Sequence, residues 1–246
     1  MWSRSFKNIY KNPKAAHEEL APSVTELFNK CIETKIVPNE WKLAIVMPLY
    51  KSKGVKTDLN NYRGISVLPP LGKLFEKVLA TQIIIYFNMN NLFFNGQHGF
   101  RAFHSCESAL HELISFLNET KNKKLIALPL FIDFKKAFDL VDSDLLIKKL
   151  FHYGFSNDSL DLIKNYFFNR QQKVKVKDSF SDLLLNLLGV PQGSVLGPLF
   201  FIIFINDLAF LLKDLMTKLF ADDTTLIDTH DNMDILITKF KKKWRY

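Results

Sequence analysis

Cysteine is nearly missing from this 246-residue chain. Cys31 and Cys106 are the only two, too few for a disulfide framework and without the spacing of a zinc site, so a reducing compartment is the default. The first residues, Met1-Trp2-Ser3-Arg4-Ser5-Phe6-Lys7, lack the apolar core of a secretory signal. Long hydrophobic runs are missing as well. The longest, Leu199 to Ile205, is bounded by Pro198 and Asn206 and is too short to span a bilayer. No repeat and no flexible linker divides the chain. These absences point to an intracellular protein, with cytoplasm and nucleus both open, no targeting signal and no membrane partner.

What is present is a core and an excess of base. Apolar residues make up 48% of the chain, which excludes disorder, and the length suffices for one large domain or two small ones. The net charge is +8 and the pI about 9.3, which favours an anionic partner. Base is concentrated: from Lys42 to Arg63 there are five basic residues and one acid, and from Ile163 to Lys177 five and none.

Periodicity predicts the elements. Leu20, Val24, Leu27, Phe28 and Cys31 recur at helical steps over Ala15–Glu33, after a polar lead-in over residues 1–14. Trp41 to Leu49 reads as a strand and Lys51 to Gly64 as a loop. A helix from about Pro70 places Leu71, Leu74, Phe75, Val78 and Leu79 on one face, with proline tolerated in its first turn. Ser105 is set to cap a helix that turns Leu110, Leu113, Ile114 and Leu117 inward. Leu125 to Phe131 reads as a strand ending on Ile132-Asp133. Ser143 and Ser156 are expected to cap helices carrying Leu146, Ile147 and Leu150, then Leu160, Ile163 and Phe167. Lys173 to Lys177 alternates lysine and valine as a half-exposed strand does. The loop Gly189–Ser194 precedes a helix through Leu199, Phe200, Ile203 and Phe204. A last helix, from about Asp231, uses Ile235, Leu236, Phe240 and Trp244, and stops without a cap, which reads as a truncation.

Three features carry chemistry. In Leu219-Phe220-Ala221-Asp222-Asp223-Thr224, two adjacent carboxylates sit inside a β-prone run that suits a hairpin with the Asp pair at its tip. Paired anions need a cation or donors beside them, and Mg²⁺ takes carboxylate oxygens while keeping positions open for substrate phosphates. Phe131-Ile132-Asp133-Phe134-Lys135-Lys136-Ala137-Phe138-Asp139 puts another carboxylate at a strand end and an aromatic five residues on. Val190-Pro191-Gln192-Gly193-Ser194 is a glycine-containing loop leading into a helix. Each is weak alone; their fixed order is not.

The set resembles the palm of reverse transcriptases, closely those of non-long-terminal-repeat (LINE-type) retrotransposons. The likeness runs from about Ala21 to the end. It includes Val37-Pro38-Asn39-Glu40-Trp41-Lys42, Asn60-Asn61-Tyr62-Arg63-Gly64-Ile65-Ser66, Leu71-Gly72-Lys73-Leu74-Phe75-Glu76-Lys77, Gln97-His98-Gly99-Phe100-Arg101 and Gly189 to Pro198. The resemblance implies an α+β right-hand polymerase fold. Residues from about 15 to 124 would be mostly fingers and those from about 125 to 246 mostly palm, an antiparallel sheet backed by helices. The thumb and the endonuclease usual in such elements would be absent.

The implied activity is RNA-directed DNA polymerisation on an RNA template and a DNA primer, with deoxynucleoside triphosphates as substrates and two Mg²⁺ ions, or Mn²⁺, as cofactor. Asp133, Asp222 and Asp223 would be the catalytic and metal-binding carboxylates. Phe138 would exclude a 2′-hydroxyl, Gln192 and Gly193 would line the nucleotide pocket, and Lys51, Arg63 and Arg101 would meet the triphosphate. The basic runs at 163–177 and 239–245 would track the template–primer backbone. Phe138 argues against an RNA polymerase, which must accept the 2′-hydroxyl. The rival reading is a catalytically silent remnant that only binds nucleic acid. The sequence departs from the family in two places: Gly64 stands where proline is usual, which is expected to loosen a turn, and Ala102-Phe103-His104-Ser105 replaces a basic-Ser-Thr run.

Overall fold

Helical spacing from Pro13 to Thr34 builds α1, which buries Phe28 and Cys31 and leaves Leu20 and Leu27 exposed. The computed structural model describes residues 13–243; the lead-in up to residue 12 and the expected contacts of Phe240 and Trp244 lie outside what it describes. Trp41 falls in a one-turn helix, α2 (Asn39–Lys42), and the strand follows it as β1 (Leu43–Tyr50). The segment expected to be loop up to Gly64 contains a 3-10 turn and then β2 (Tyr62–Val67), antiparallel to β1 from Ile45↔Val67 to Tyr50↔Tyr62. Gly64 therefore sits in a strand, opposite Pro48, and not in a turn; a Cβ there would lie 2.9 Å from the Val46 Cγ1.

The long helix α3 (Pro70–Met89) starts at its proline as expected, but its buried face is Phe75, Glu76, Leu79, Ala80, Ile83 and Phe87, with Leu71 and Leu74 exposed. Ser105 caps α4 (Cys106–Asn122) through a capping box with Ser108. Its inner face is also rotated from expectation. Ala109, Leu113, Phe116 and Thr120 turn inward, while Leu110, Ile114 and Leu117 stay exposed. Then come β3 (Ile126–Ile132), a 3-10 turn (Ala137–Leu140), α5 (Ser143–His152) and α6 (Asn157–Phe167). Asp142, not Ser143, caps α5, accepting from the Asp144 and Leu145 N–H groups, whereas Ser156 caps α6 as expected.

The strands β4 (Gln171–Val176), β5 (Ser179–Phe180) and β6 (Leu184–Leu185) return to the first sheet. β4 runs parallel to β1 from Leu43↔Gln171 to Val46↔Val174, and both β5 and β6 pair with it antiparallel. The run Leu196-Gly-Pro-Leu-Phe-Phe-Ile-Ile-Phe-Ile205 is apolar on every side, so it can be stable only where it is surrounded. It forms α7 (Leu196–Ile205), with Leu196, Phe200, Ile202 and Ile203 fully buried in the main core among α1, α3, α5 and α6. A short α8 (Leu208–Leu211) leads to β7 (Met216–Phe220), β8 (Asp223–His230) and α9 (Met233–Lys243). These strands and β3 form a separate antiparallel sheet in the order β3-β8-β7. Leu212, Leu215 and Leu226 form a smaller core against it. Among the described residues no helix is long and apolar enough to cross a membrane.

Candidate active site

The second sheet joins what the sequence keeps apart. β3 pairs with β8 from Ile126↔His230 to Ile132↔Thr224, so Asp133 leaves the end of β3 beside the start of β8. β7 pairs with β8 through Phe220↔Asp223, leaving Ala221 and Asp222 as the two loop residues. The Asp pair thus straddles the tip: Asp222 is in the turn, and Asp223 is the first residue of β8. Ala221 takes a left-handed conformation (φ +56°), which costs a non-glycine residue about 1–3 kcal/mol.

Asp133 and Asp222 line one open cleft of about 1250 Å³. Asp223, exposed, is not among its lining residues. The cleft is also lined by Lys51, Lys53 and Arg63, just after β1 and at the start of β2. Lys51 donates from Nζ to the Asn60 carbonyl at 2.9 Å. Lys135 and Lys136, directly after Asp133, line it too. Five cationic side chains thus line the cleft with the carboxylates of Asp133, Asp139 and Asp222, a setting for a polyanion bound with a metal ion.

The loop after β6 closes one side. The Val190 N–H donates to the Phe138 carbonyl at 2.9 Å and the Ser66 N–H to the Gln192 carbonyl at 2.7 Å, which ties the loop to both halves of the cleft. Gly193 (φ +120°) is required at that seam, since a Cβ would lie 2.5 Å from the Ser66 carbonyl oxygen. Gln192 Nε2 donates to Asp139 Oδ1 at 2.8 Å. Gln192, Gly193, Phe138 and Asp139 all line the cleft. Phe138 is half-buried, stacked on Phe201 (centroids 4.5 Å apart, 24° between planes) and edge-on to Phe100 at 6.0 Å.

Arg101, like Asp223, is an expected site residue that does not line the cleft. Its Nη1 donates to the Phe94 carbonyl at 2.9 Å, and its guanidinium lies 5.1 Å from the centre of the Phe93 ring. Burial lowers its pKa. The basic run at 163–177 is also less available than its composition promised. Arg170 is buried over the Tyr166 ring and Lys164 pairs with Asp161.

Two residues that matter to the site carry no obvious sequence signal. Glu76 is buried on α3 and accepts from the Val195 N–H at 2.6 Å and the Leu196 N–H at 3.3 Å, capping α7 directly after the Gly193 loop. Its other oxygen accepts from the Tyr166 hydroxyl at 2.9 Å, and burial, foremost, raises that phenol's pKa. Asp139, which holds Gln192, is the second. Both lay inside segments that matched the family, but their partners are more than fifty residues away.

A family model described as reverse transcriptase (RNA-dependent DNA polymerase) matches residues 51–245. The chain is 32% identical over 214 residues to the probable RNA-directed DNA polymerase from transposon BS of Drosophila melanogaster, covering 82% of this chain and 23% of that protein. It is 30% identical over 217 residues to the corresponding X-element protein of the same species, covering 85% and 24%. The chain therefore spans about a quarter of the length of these curated relatives. Among solved structures it is similar to apo telomerase from Candida tropicalis truncated from its C-terminal domain, with a TM-score of 0.58 at 18% identity, covering 85% of this chain and 47% of that one. A likeness at that identity speaks for the fold alone.

Proposed function

The chain belongs to the reverse transcriptase (RNA-dependent DNA polymerase) family, and on that premise we propose that it is the catalytic part of a retrotransposon RNA-directed DNA polymerase. It would extend a DNA primer along an RNA template, using deoxynucleoside triphosphates. The observation that carries this reading is that Asp133, at a strand end, and Asp222, at a hairpin tip, line one cleft with Lys51, Arg63, Phe138 and Gln192. In this reading the second sheet is the palm floor, and β1 and β2 with the helices around them are fingers. The division near residue 124 is one of emphasis in this reading, since β4 crosses back to pair with β1.

The residues suit a hard divalent cation. Mg²⁺ is commonly bound by one or two protein carboxylates, with waters and substrate phosphates completing its shell, and two cleft aspartates meet that demand. Among the described residues no group of three His, Cys, Asp or Glu side chains stands ready to hold a metal. In this reading Asp133 and Asp222, which line the cleft, are the holders, and Asp223, outside its lining, is a neighbour that adds negative charge. When bound, a pair of Mg²⁺ or Mn²⁺ ions supplies the Lewis acidity for in-line displacement at a phosphorus centre.

The protein's own part is placement and charge. Lys51 and Arg63 would grip the triphosphate, arginine bidentately and lysine as a point charge. Gln192 and the Gly193 backbone would hold the nucleotide, and Phe138, backed by Phe201, would fill the space a 2′-hydroxyl needs. Arg101 would act indirectly, through the backbone it ties at Phe94 and Gln97.

Thermal melting with and without metal tests the site. A ligand that binds only the folded state stabilises it by about 2.7 kcal/mol at a hundred times its dissociation constant. Mg²⁺ or Mn²⁺ is expected to raise the melting temperature, and the double substitution Asp133→Asn, Asp222→Asn to abolish the rise. Equal shifts in both proteins would sink the shared site and leave the silent, nucleic-acid-binding reading.

A further inference from the structure

We propose that Gln97 is a positioning residue for Asp222, acting through the backbone of the left-handed residue that precedes it. The segment Gly96–Gly99 lies against the outer edge of β7. The Leu219 N–H donates to the Gly96 carbonyl and the His98 N–H to the Leu219 carbonyl, each at 2.8 Å, so Gln97 forms a parallel bridge with Leu219. From this anchored position the Gln97 side chain, 1% exposed, reaches the hairpin tip. Its Oε1 accepts from the Gly99 N–H at 2.8 Å and from the Ala221 N–H at 3.0 Å. Gly99 permits this closeness, since a Cβ on it would lie 2.2 Å from the Ala221 nitrogen.

Two features separate this contact from ordinary packing. Ala221 is a non-glycine residue held at φ +56°, in a hairpin turn where positive φ is ordinarily given to glycine or asparagine. Such a conformation persists only where its surroundings over-determine it. The Gln97 oxygen is what fixes its amide. Gln97 also carries a cost: its Nε2 is buried and has no partner among the described residues. The amide cannot be flipped to relieve that cost, because the nitrogen would then face two N–H donors. A side chain serving only to fill the core has no use for a stranded amide NH₂, whereas one serving to hold the Ala221 N–H must bring it. Losing the acceptor would leave that N–H unsatisfied and free Ala221 to leave the left-handed region. The next residue, Asp222, would then swing relative to Asp133.

This inference rests on the proposed metal-holding role of Asp133 and Asp222, and the test separates the two. The full chain is compared as wild type, Gln97→Met (similar length, no acceptor), Gln97→Met with Ala221→Gly, and Asp222→Asn. The readouts are amide hydrogen exchange by NMR and Mn²⁺ binding by electron paramagnetic resonance. Gln97→Met is expected to speed exchange at Ala221 by at least about tenfold relative to amides in the middle of β8, and to weaken Mn²⁺ binding by a similar factor. Adding Ala221→Gly, which adopts positive φ without strain, is expected to recover most of the Mn²⁺ affinity.

Unchanged exchange at Ala221 together with unchanged Mn²⁺ affinity in Gln97→Met would overturn the proposal. So would faster exchange spread evenly over the whole sheet with no recovery from Ala221→Gly, since that is loss of core and not of position. If wild type and Asp222→Asn bind Mn²⁺ alike, the metal reading fails instead, and selective release of the Ala221 amide then decides by itself whether Gln97 holds the turn.

Discussion

Phe138 combines two roles that a sequence cannot distinguish. One side of its ring is stacked on the buried Phe201, so it is a core aromatic, and the same residue lines the cleft beside Gln192 and Asp133. The stacking fixes the ring, and a fixed ring is what a size filter needs. In the proposed reading, Phe138→Val is expected to leave deoxynucleotide use partly intact while raising ribonucleotide incorporation relative to it by about tenfold to a hundredfold, the range over which a change of pocket size discriminates. Competition between a deoxynucleotide and its ribonucleotide in primer extension, using a polymerase-competent form that contains this domain, measures the ratio. An unchanged ratio would return Phe138 to the core alone. Arg101 shows the opposite outcome at the same scale. It occupies a matching motif position yet donates from Nη1 to the Phe94 and Gln97 carbonyls and does not line the cleft.

The hairpin is held at its back as well as at its tip, and the hold at the back includes a buried imidazole. His98 is buried, with Nδ1 2.8 Å from the Ser108 hydroxyl and Nε2 3.6 Å from a Glu112 oxygen. Glu112 in turn pairs with Lys218 on β7, and His104 packs edge-on to the imidazole. Burial is the largest influence and pushes the His98 pKa below its free value of 6.5; Glu112 pulls it up, and Lys218 and His104 push it further down. The unfolded chain therefore binds a proton on this group at a pH where the folded chain does not. Its stabilising contribution is complete above 6.5 and is lost as the pH falls below that, with a slope of at most about 1.4 kcal/mol per pH unit. Urea unfolding between pH 5 and 7.5 is expected to show this slope in wild type and a flatter one in His98→Gln; parallel profiles would refute it. None of this cluster is legible locally, because it is made by residues from three elements. Legible features are those with local causes: the Ser105 cap, Pro70 at a helix start, and the strand that delivers Asp133 just past its end. β2 escaped because Arg63-Gly64 looks like a loop until β1 lies beside it. Phe75, Val78, Leu79 and Leu113 turn inward as the periodicity predicts, whereas Leu71, Leu74, Leu110, Ile114 and Leu117 stay exposed, because apolar side chains on α3 and α4 outnumber the positions the core buries. Asp142 and Ser143 can each cap a helix, and only the backbone decides between them.

At the scale of the whole molecule, the net charge of +8 matters less than where the free cations stand. Arg170 is withdrawn into the core and Lys164 is matched by Asp161, whereas Lys51, Lys53, Arg63, Lys135 and Lys136 line the cleft with Asp133 and Asp222. In the proposed reading, binding of a primer–template is expected to be independent of sequence and governed by phosphate contacts made along that cleft. Each phosphate neutralised releases counterions, so the logarithm of affinity falls linearly with the logarithm of salt, by about 0.9 per contact on duplex and about 0.7 on a single strand. Fluorescence anisotropy over a salt series is expected to show a steep slope for the wild-type chain on duplexes of unrelated sequence. Replacing Lys135 and Lys136 together with glutamine is expected to lower the slope by up to about two. Lys164→Gln, at a residue outside the cleft lining, is expected to leave it unchanged. If the two lysine-135/136 substitutions leave the slope intact while Lys164→Gln lowers it, the nucleic acid runs over the α6 surface and the cleft is not its path.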